Sequence, residues 1–139
     1  MRQIALNNYT ADAYDETAAQ AGAALASGRL VVFPTETVYA LAASAKDSGA
    51  VARLRAFKQS PPEQALTVHL AERRDARRYV STPSALLRRL VRRVFPGPVT
   101  ITWSDPDPGA TAAAGELGSQ HLATVFATQR VSLRCPDMP

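Results

Sequence analysis

Apolar and polar positions fall into short blocks that predict alternating helices and strands. From Asp15 to Ser27 the chain is alanine-rich, with Gly28 where a helix-closing glycine belongs, and this predicts a helix. Leu30 to Phe33 is a short apolar run stopped by Pro34 and predicts a buried strand. Ser48 to Phe57 sets Val51, Leu54 and Phe57 at helical spacing, which predicts a second helix. Ala65 to Leu70 (ALTVHL) alternates and predicts a strand. Two helices are expected next. One runs from Glu72 to Val80; the other has Thr82 as N-cap, Pro83 at the first helical position, and Leu87, Leu90, Val91 and Val94 on one face. The PGP at 96–98 ends that helix. VTITW (99–103) predicts a strand, Ser104 to Thr111 a loop, and VSLRC (131–135) a last strand broken by Pro136.

Strands alternating with helices indicate an α/β or α+β domain, and the length suits one domain. There is no internal repeat. The final DMP follows a strand with no closing helix, so the expectation is a single domain over residues 1–139 that lacks its C-terminal part. No apolar run reaches the roughly 20 residues that cross a bilayer, and the first residues hold no signal-peptide core. The lone Cys135 cannot form an internal disulfide and reads as a small buried apolar residue, which suits a reducing, cytoplasmic compartment.

Charge changes the picture modestly. The formal charge is +4, and the cations are arginines apart from Lys46 and Lys58. Arg73, Arg74, Arg77 and Arg78, then Arg88, Arg89, Arg92 and Arg93, repeat one spacing that would cover one face of each helix. Such a face is either a solvated exterior or a surface for the phosphates of a nucleic acid. The chain has no phosphate-binding P-loop, no dinucleotide fingerprint and no zinc spacing.

One stretch does not read as ordinary turn chemistry. FPTETVYALAA, Phe33 to Ala43, follows the first strand with hydroxyls, a carboxylate and a phenol, and without the glycine or asparagine that turns favour. With FKQSPPEQALTVHL, FPGPVTITW and VSLRCPDMP it makes four segments in fixed order. Together they resemble the YrdC-like family, the threonylcarbamoyl-AMP synthases of tRNA modification, from about Gly28 to Pro139. The family pattern reads roughly PTETVYGLG, KxRP with a PLxV strand, WPGPxT and VxVRxP.

The resemblance implies a twisted mixed sheet with flanking helices and a concave substrate face, and tRNA or double-stranded RNA as the partner that the arginine-rich faces would meet. It implies a nucleotidyltransferase that joins L-threonine, bicarbonate and ATP, with Mg²⁺, into threonylcarbamoyl-AMP for the machinery that forms threonylcarbamoyladenosine (t6A) in tRNA. Lys58 matches the family lysine and is the expected catalytic residue. Thr35, Thr37, Tyr39, His69, Thr100 and Arg134 are the expected threonine- and ATP-binding residues, and no side chain is identified as a metal ligand.

Three departures qualify this. Ser60 stands where the family has arginine, and a serine supplies no charged fork to a phosphate. Ala40 replaces the glycine of Tyr-Gly-Leu, and is strained if that position needs a positive φ. The family's later Ser-x-Asn motif is not in this sequence. The alternatives are therefore a non-catalytic RNA- or nucleotide-binding remnant of the fold, or a carbamoyl-transfer module of a larger protein. The plainer readings remain beside the functional ones: Lys58 as a helix-end cation, the threonines and Glu36 as a turn, Tyr39 as a core residue with its hydroxyl at the rim, His69 as structural and Arg134 as an outward-facing cation.

Overall fold

The computed structural model describes residues 3–4, 10–126 and 129–137; Met138 and Pro139 of the terminal DMP lie outside them. The first helix, α1, spans Ala11–Ala26 and starts earlier than its apolar pattern suggests, because the Thr10 hydroxyl caps Ala13 N–H. Its end is closed by paired hydrogen bonds, Gly28 N–H to Leu25 O and Arg29 N–H to Ala24 O. Gly28 has φ +75°, and a Cβ there would run into Asp47 and lie 3.0 Å from Arg53 Nη2. Gly28→Ala is therefore expected to destabilise the fold by about 1–2 kcal/mol, measured by urea unfolding.

After α1 the chain forms a hairpin, β1 (Val31–Pro34) and β2 (Tyr39–Ala42), paired antiparallel from Val31↔Ala42 to Pro34↔Tyr39. Strand β2 lies in a stretch, FPTETVYALAA, whose sequence predicts no strand after Phe33. Ala40 lies inside it, and among described non-glycine residues only Gln59 and Gln129 have positive φ, so Ala40 carries no such strain. Helix α2 (Ser48–Lys58) is capped by Asp47, whose carboxylate accepts from Ala50 N–H at 2.9 Å.

The main sheet has the order β3-β5-β4, from Thr67–His69, Arg130–Arg134 and Thr100–Ser104. β3 runs parallel to β5 and β4 antiparallel to it, so this sheet is mixed, as expected, and separate from the hairpin. Helix α3 is Ala85–Val94, with Ser84 rather than Thr82 as its N-cap. Residues Arg73–Tyr79 form a 3₁₀ segment instead of an α-helix. RRDARRY lacks the apolar stripe that holds an α-helix against a core, and the tighter turn moves its arginines off one common face. Two short helices were not foreseen, α4 (Ala112–Leu117) and α5 (Ser119–Val125). A further 3₁₀ turn, Pro108–Ala110, lies in the expected loop.

The core lies under one face of the main sheet. Val131 and Leu133 are fully buried there with Val68, Phe95, Leu122, Phe126 and Cys135. One charged group is sealed in beside it. Asp105 is 1% exposed and accepts hydrogen bonds from Ser81 N–H (3.0 Å), the Ser81 hydroxyl, Asp107 N–H (3.1 Å) and Trp103 Nε1 (3.4 Å). Burial raises its pKa, but those donors outweigh it and hold the carboxyl below its ordinary value. No helix among the described residues is long and apolar enough to cross a membrane.

Candidate functional site

The opposite face of the main sheet is polar, and strand alternation makes it so. In TVH, TITWS and RVSLR every second residue points to the core, which leaves Thr67 and His69, Thr100 and Thr102, and Ser132 and Arg134 on the other side. Register then sets them in rows. Arg134 pairs with His69 on β3 and with Thr100 on β4, so three expected site residues stand side by side. The next row is a hydroxyl ladder: Ser132 Oγ lies 3.2 Å from Thr67 Oγ1 and 3.1 Å from Thr102 Oγ1. This ladder was not anticipated. The same alternation would have revealed it once the three strands were aligned.

The turn between β1 and β2 lies over the Arg134 end of this face. It dispenses with glycine because the Thr35 hydroxyl replaces a strained backbone: it donates to Val38 O (2.7 Å) and accepts from Val38 N–H (3.2 Å) and Thr37 N–H (3.3 Å). The Thr35 and Thr37 hydroxyls are 3.2 Å apart. Arg134 Nη2 donates to Glu36 Oε1 at 2.9 Å and to Thr37 Oγ1 at 2.7 Å. The Arg134 side chain is only 13% exposed, so it is not an outward-facing cation, and its Nε is buried with no partner.

Electrostatics follow from this arrangement. The hydrogen bond from Arg134 holds the Glu36 carboxyl below its ordinary value, so it stays ionised. His69 is pushed down by burial first and by the Arg134 charge next, with a smaller push from Lys58 and an opposing pull from Glu36. It is therefore neutral at neutral pH, with its ring edge-on to Phe33 at 5.5 Å.

The structure brings together Thr35, Thr37, His69, Thr100 and Arg134. Lys58 is exposed at the end of α2, near enough to influence His69. Tyr39 is not part of the group: it is 77% exposed at the start of β2 and is no core residue. Ser60 follows Lys58 and Gln59, its N–H bonded to Arg55 O. The Arg55 guanidinium fixes this loop by donating to Pro61 O, Gln64 O and Thr124 O. A cavity of about 380 Å³ is lined by Phe33, Val51 and Val68 together with the polar Thr67, His69, Lys46, Arg78 and Glu116.

The arginine-rich elements are partly neutralised. Arg74 pairs with Glu72, Arg78 with Glu116, and Arg73 donates to Arg92 O, while Arg77, Arg89, Arg92 and Arg93 are exposed. Leu90, expected on the packed face of α3, is 39% exposed; Leu87, Val91 and Val94 make that contact. Among the described residues no three His, Cys, Asp or Glu side chains converge to hold a metal ion.

Comparison with known proteins gives a consistent result. The model of the Sua5, YciO and YrdC proteins, described as "Telomere recombination", matches residues 23–139. The threonylcarbamoyl-AMP synthase of Bacillus subtilis is 36% identical over 126 residues, 90% of this chain and 33% of that protein. The enzyme of the same name from Halorhodospira halophila is 38% identical over 80 residues, 58% of this chain and 42% of its own length. Among solved structures, Pyrococcus abyssi Sua5 complexed with L-threonine superposes with a TM-score of 0.68 at 28% identity, over 86% of this chain and 32% of that one. The solution structure of MTH1692 from Methanobacterium thermoautotrophicum has a TM-score of 0.59 at 26% identity, over 99% and 59%. The chain thus spans about a third of the Bacillus relative and of the Pyrococcus structure.

Proposed function

Since this chain belongs to the Sua5, YciO and YrdC family, we propose that its polar sheet face binds L-threonine and serves the synthesis of threonylcarbamoyl-AMP from L-threonine, bicarbonate and ATP. The observation that carries this is the row His69–Arg134–Thr100 beneath the Thr35–Val38 turn. Arg134 offers a planar cation to a carboxylate, and Thr37 and Thr100 offer hydroxyls beside it. A relative of the same fold has been solved with L-threonine.

The chemistry has two steps. The threonine amine, after losing a proton, attacks the carbon of bicarbonate and releases water, which leaves a carbamate. A carbamate oxygen then attacks the α-phosphorus of ATP, and pyrophosphate leaves. In this reading Arg134 orients threonine, and Lys58 faces charge on the triphosphate. Neutral His69 offers a ring N–H or acceptor without adding a third cation. Mg²⁺ enters with the nucleotide, whose phosphates are its natural ligands. The product passes to the machinery that modifies tRNA. Exposed Arg77, Arg89, Arg92 and Arg93 suit contacts to RNA phosphates. A reducing, cytoplasmic setting suits the unpaired, buried Cys135.

Ser60 favours a second reading, a binding module without turnover, because the matched arginine is missing from the loop after Lys58. Pyrophosphate release by the purified chain, with ATP and Mg²⁺, tests both. Release is expected to require both threonine and bicarbonate, and Ser60→Arg is expected to raise its rate by about a hundredfold. Threonine binding without release from either folded protein would establish the binding module instead.

A further inference from the structure

We propose that Glu36 makes this site choose a zwitterion: it accepts the ammonium of an α-amino acid whose carboxylate takes its place on Arg134. The inference rests on the reading in which L-threonine occupies this face, and it adds the residue that tells an amino acid from a simple anion.

The guanidinium of Arg134 is incompletely used. Nη2 is held by Glu36 and Thr37, while Nε has no acceptor. A carboxylate meeting that edge would bond Nε and Nη2 together, the two-pronged geometry that Glu36 Oε1 does not reach. Glu36 is thus a resident anion in a place that a better-fitting anion could take.

The two partners differ in freedom. Arg134 lies in the central strand of the main sheet between buried Leu133 and Cys135. Glu36 lies on the tip of a two-stranded hairpin that pairs with no other strand among the described residues, and its side chain is 20% exposed against 13% for Arg134. The ion pair therefore opens by movement of Glu36.

Charge then decides what may enter. A ligand with a carboxylate alone would leave an ionised Glu36 beside a second anion and without a partner. A ligand carrying an ammonium next to its carboxylate replaces one ion pair with two. Glu36 stays deprotonated in the resting site, so it receives the ammonium as a charge.

Calorimetric titration would compare L-threonine with its hydroxy-acid analogue, in which a hydroxyl replaces the ammonium. The wild-type chain is expected to prefer threonine by about tenfold or more, and Glu36→Gln to shrink that preference below about threefold. Glu36→Gln should also bind the hydroxy acid more tightly, because Arg134 no longer has a competing anion, and Glu36→Asp should keep part of the preference. Equal loss of both ligands in Glu36→Gln would show that Glu36 merely holds Arg134 in place and would overturn the proposal. An unchanged preference in Glu36→Gln overturns this inference alone. No threonine binding by folded wild-type protein overturns it together with the proposed function.

Discussion

Replacing Arg134 with alanine is expected to weaken L-threonine binding by about a hundredfold or more, while the thermal unfolding curve hardly moves. The two outcomes separate because of where the side chain sits. Its strand is the middle of the main sheet, but its guanidinium faces the polar side and hydrogen-bonds to Glu36 and Thr37 of the hairpin turn. The residues that hold β5 in place, Val131 and Leu133, point the other way and are untouched. Arg134→Lys keeps the charge and loses the fork, so an intermediate loss of about tenfold is expected. Titration of the ligand into each variant, with circular dichroism melts alongside, checks the expectation. Full threonine affinity in Arg134→Ala would remove the row from the site.

The second large effect is on stability. Asp105→Ala is expected to cost about 2–4 kcal/mol, because the Ser81 N–H, the Asp107 N–H and the Trp103 indole N–H lose a shared buried acceptor. In a chain of this size the midpoint of thermal unfolding should fall by about 10 °C. The pH dependence has a definite sign. The folded-state pKa of Asp105 is lowered relative to the unfolded chain, so the stabilisation is fully present above the unfolded value, about 3.9, and is lost as pH falls through the folded value below it. Wild type should therefore lose stability through that acid window more steeply than Asp105→Asn, which has no such carboxyl. Melts across the pH range, with parallel curves for the two proteins, would show that the buried carboxylate is not what titrates.

How much of this was legible in the sequence depends on how each segment earns its structure. The alternation in ALTVHL, VTITW and VSLRC predicted three strands, because period-two burial leaves a direct mark on residue type. It did not say which strands neighbour one another, and without that the Thr67–Ser132–Thr102 ladder stayed hidden. β2 was missed because YALA carries small residues and pairs only with β1. α4 and α5 were missed because each is too short to show a helical period, and the Gly118 that divides them breaks any longer one. RRDARRY carried the spacing of charges on a helix but not the apolar stripe. The oddness of PTET was visible, but half of its meaning was local. Thr35 spends its hydroxyl on the turn itself, while Glu36 and Thr37, which seemed part of that turn, are the residues that reach the sheet.

The separation of the β1–β2 hairpin from the main sheet has a consequence for how the protein can change over time. A ligand site usually trades binding against folding, since altering it disturbs the core. In the proposed site the discriminating residue, Glu36, lies on a small element that pairs with no other strand among the described residues, and the anchoring Arg134 lies on a strand whose core-facing residues are fixed independently. Two-stranded ribbons contribute little to global stability by themselves. In the proposed site, substitutions at the turn are therefore expected to retune which ligand is admitted at small cost to the fold.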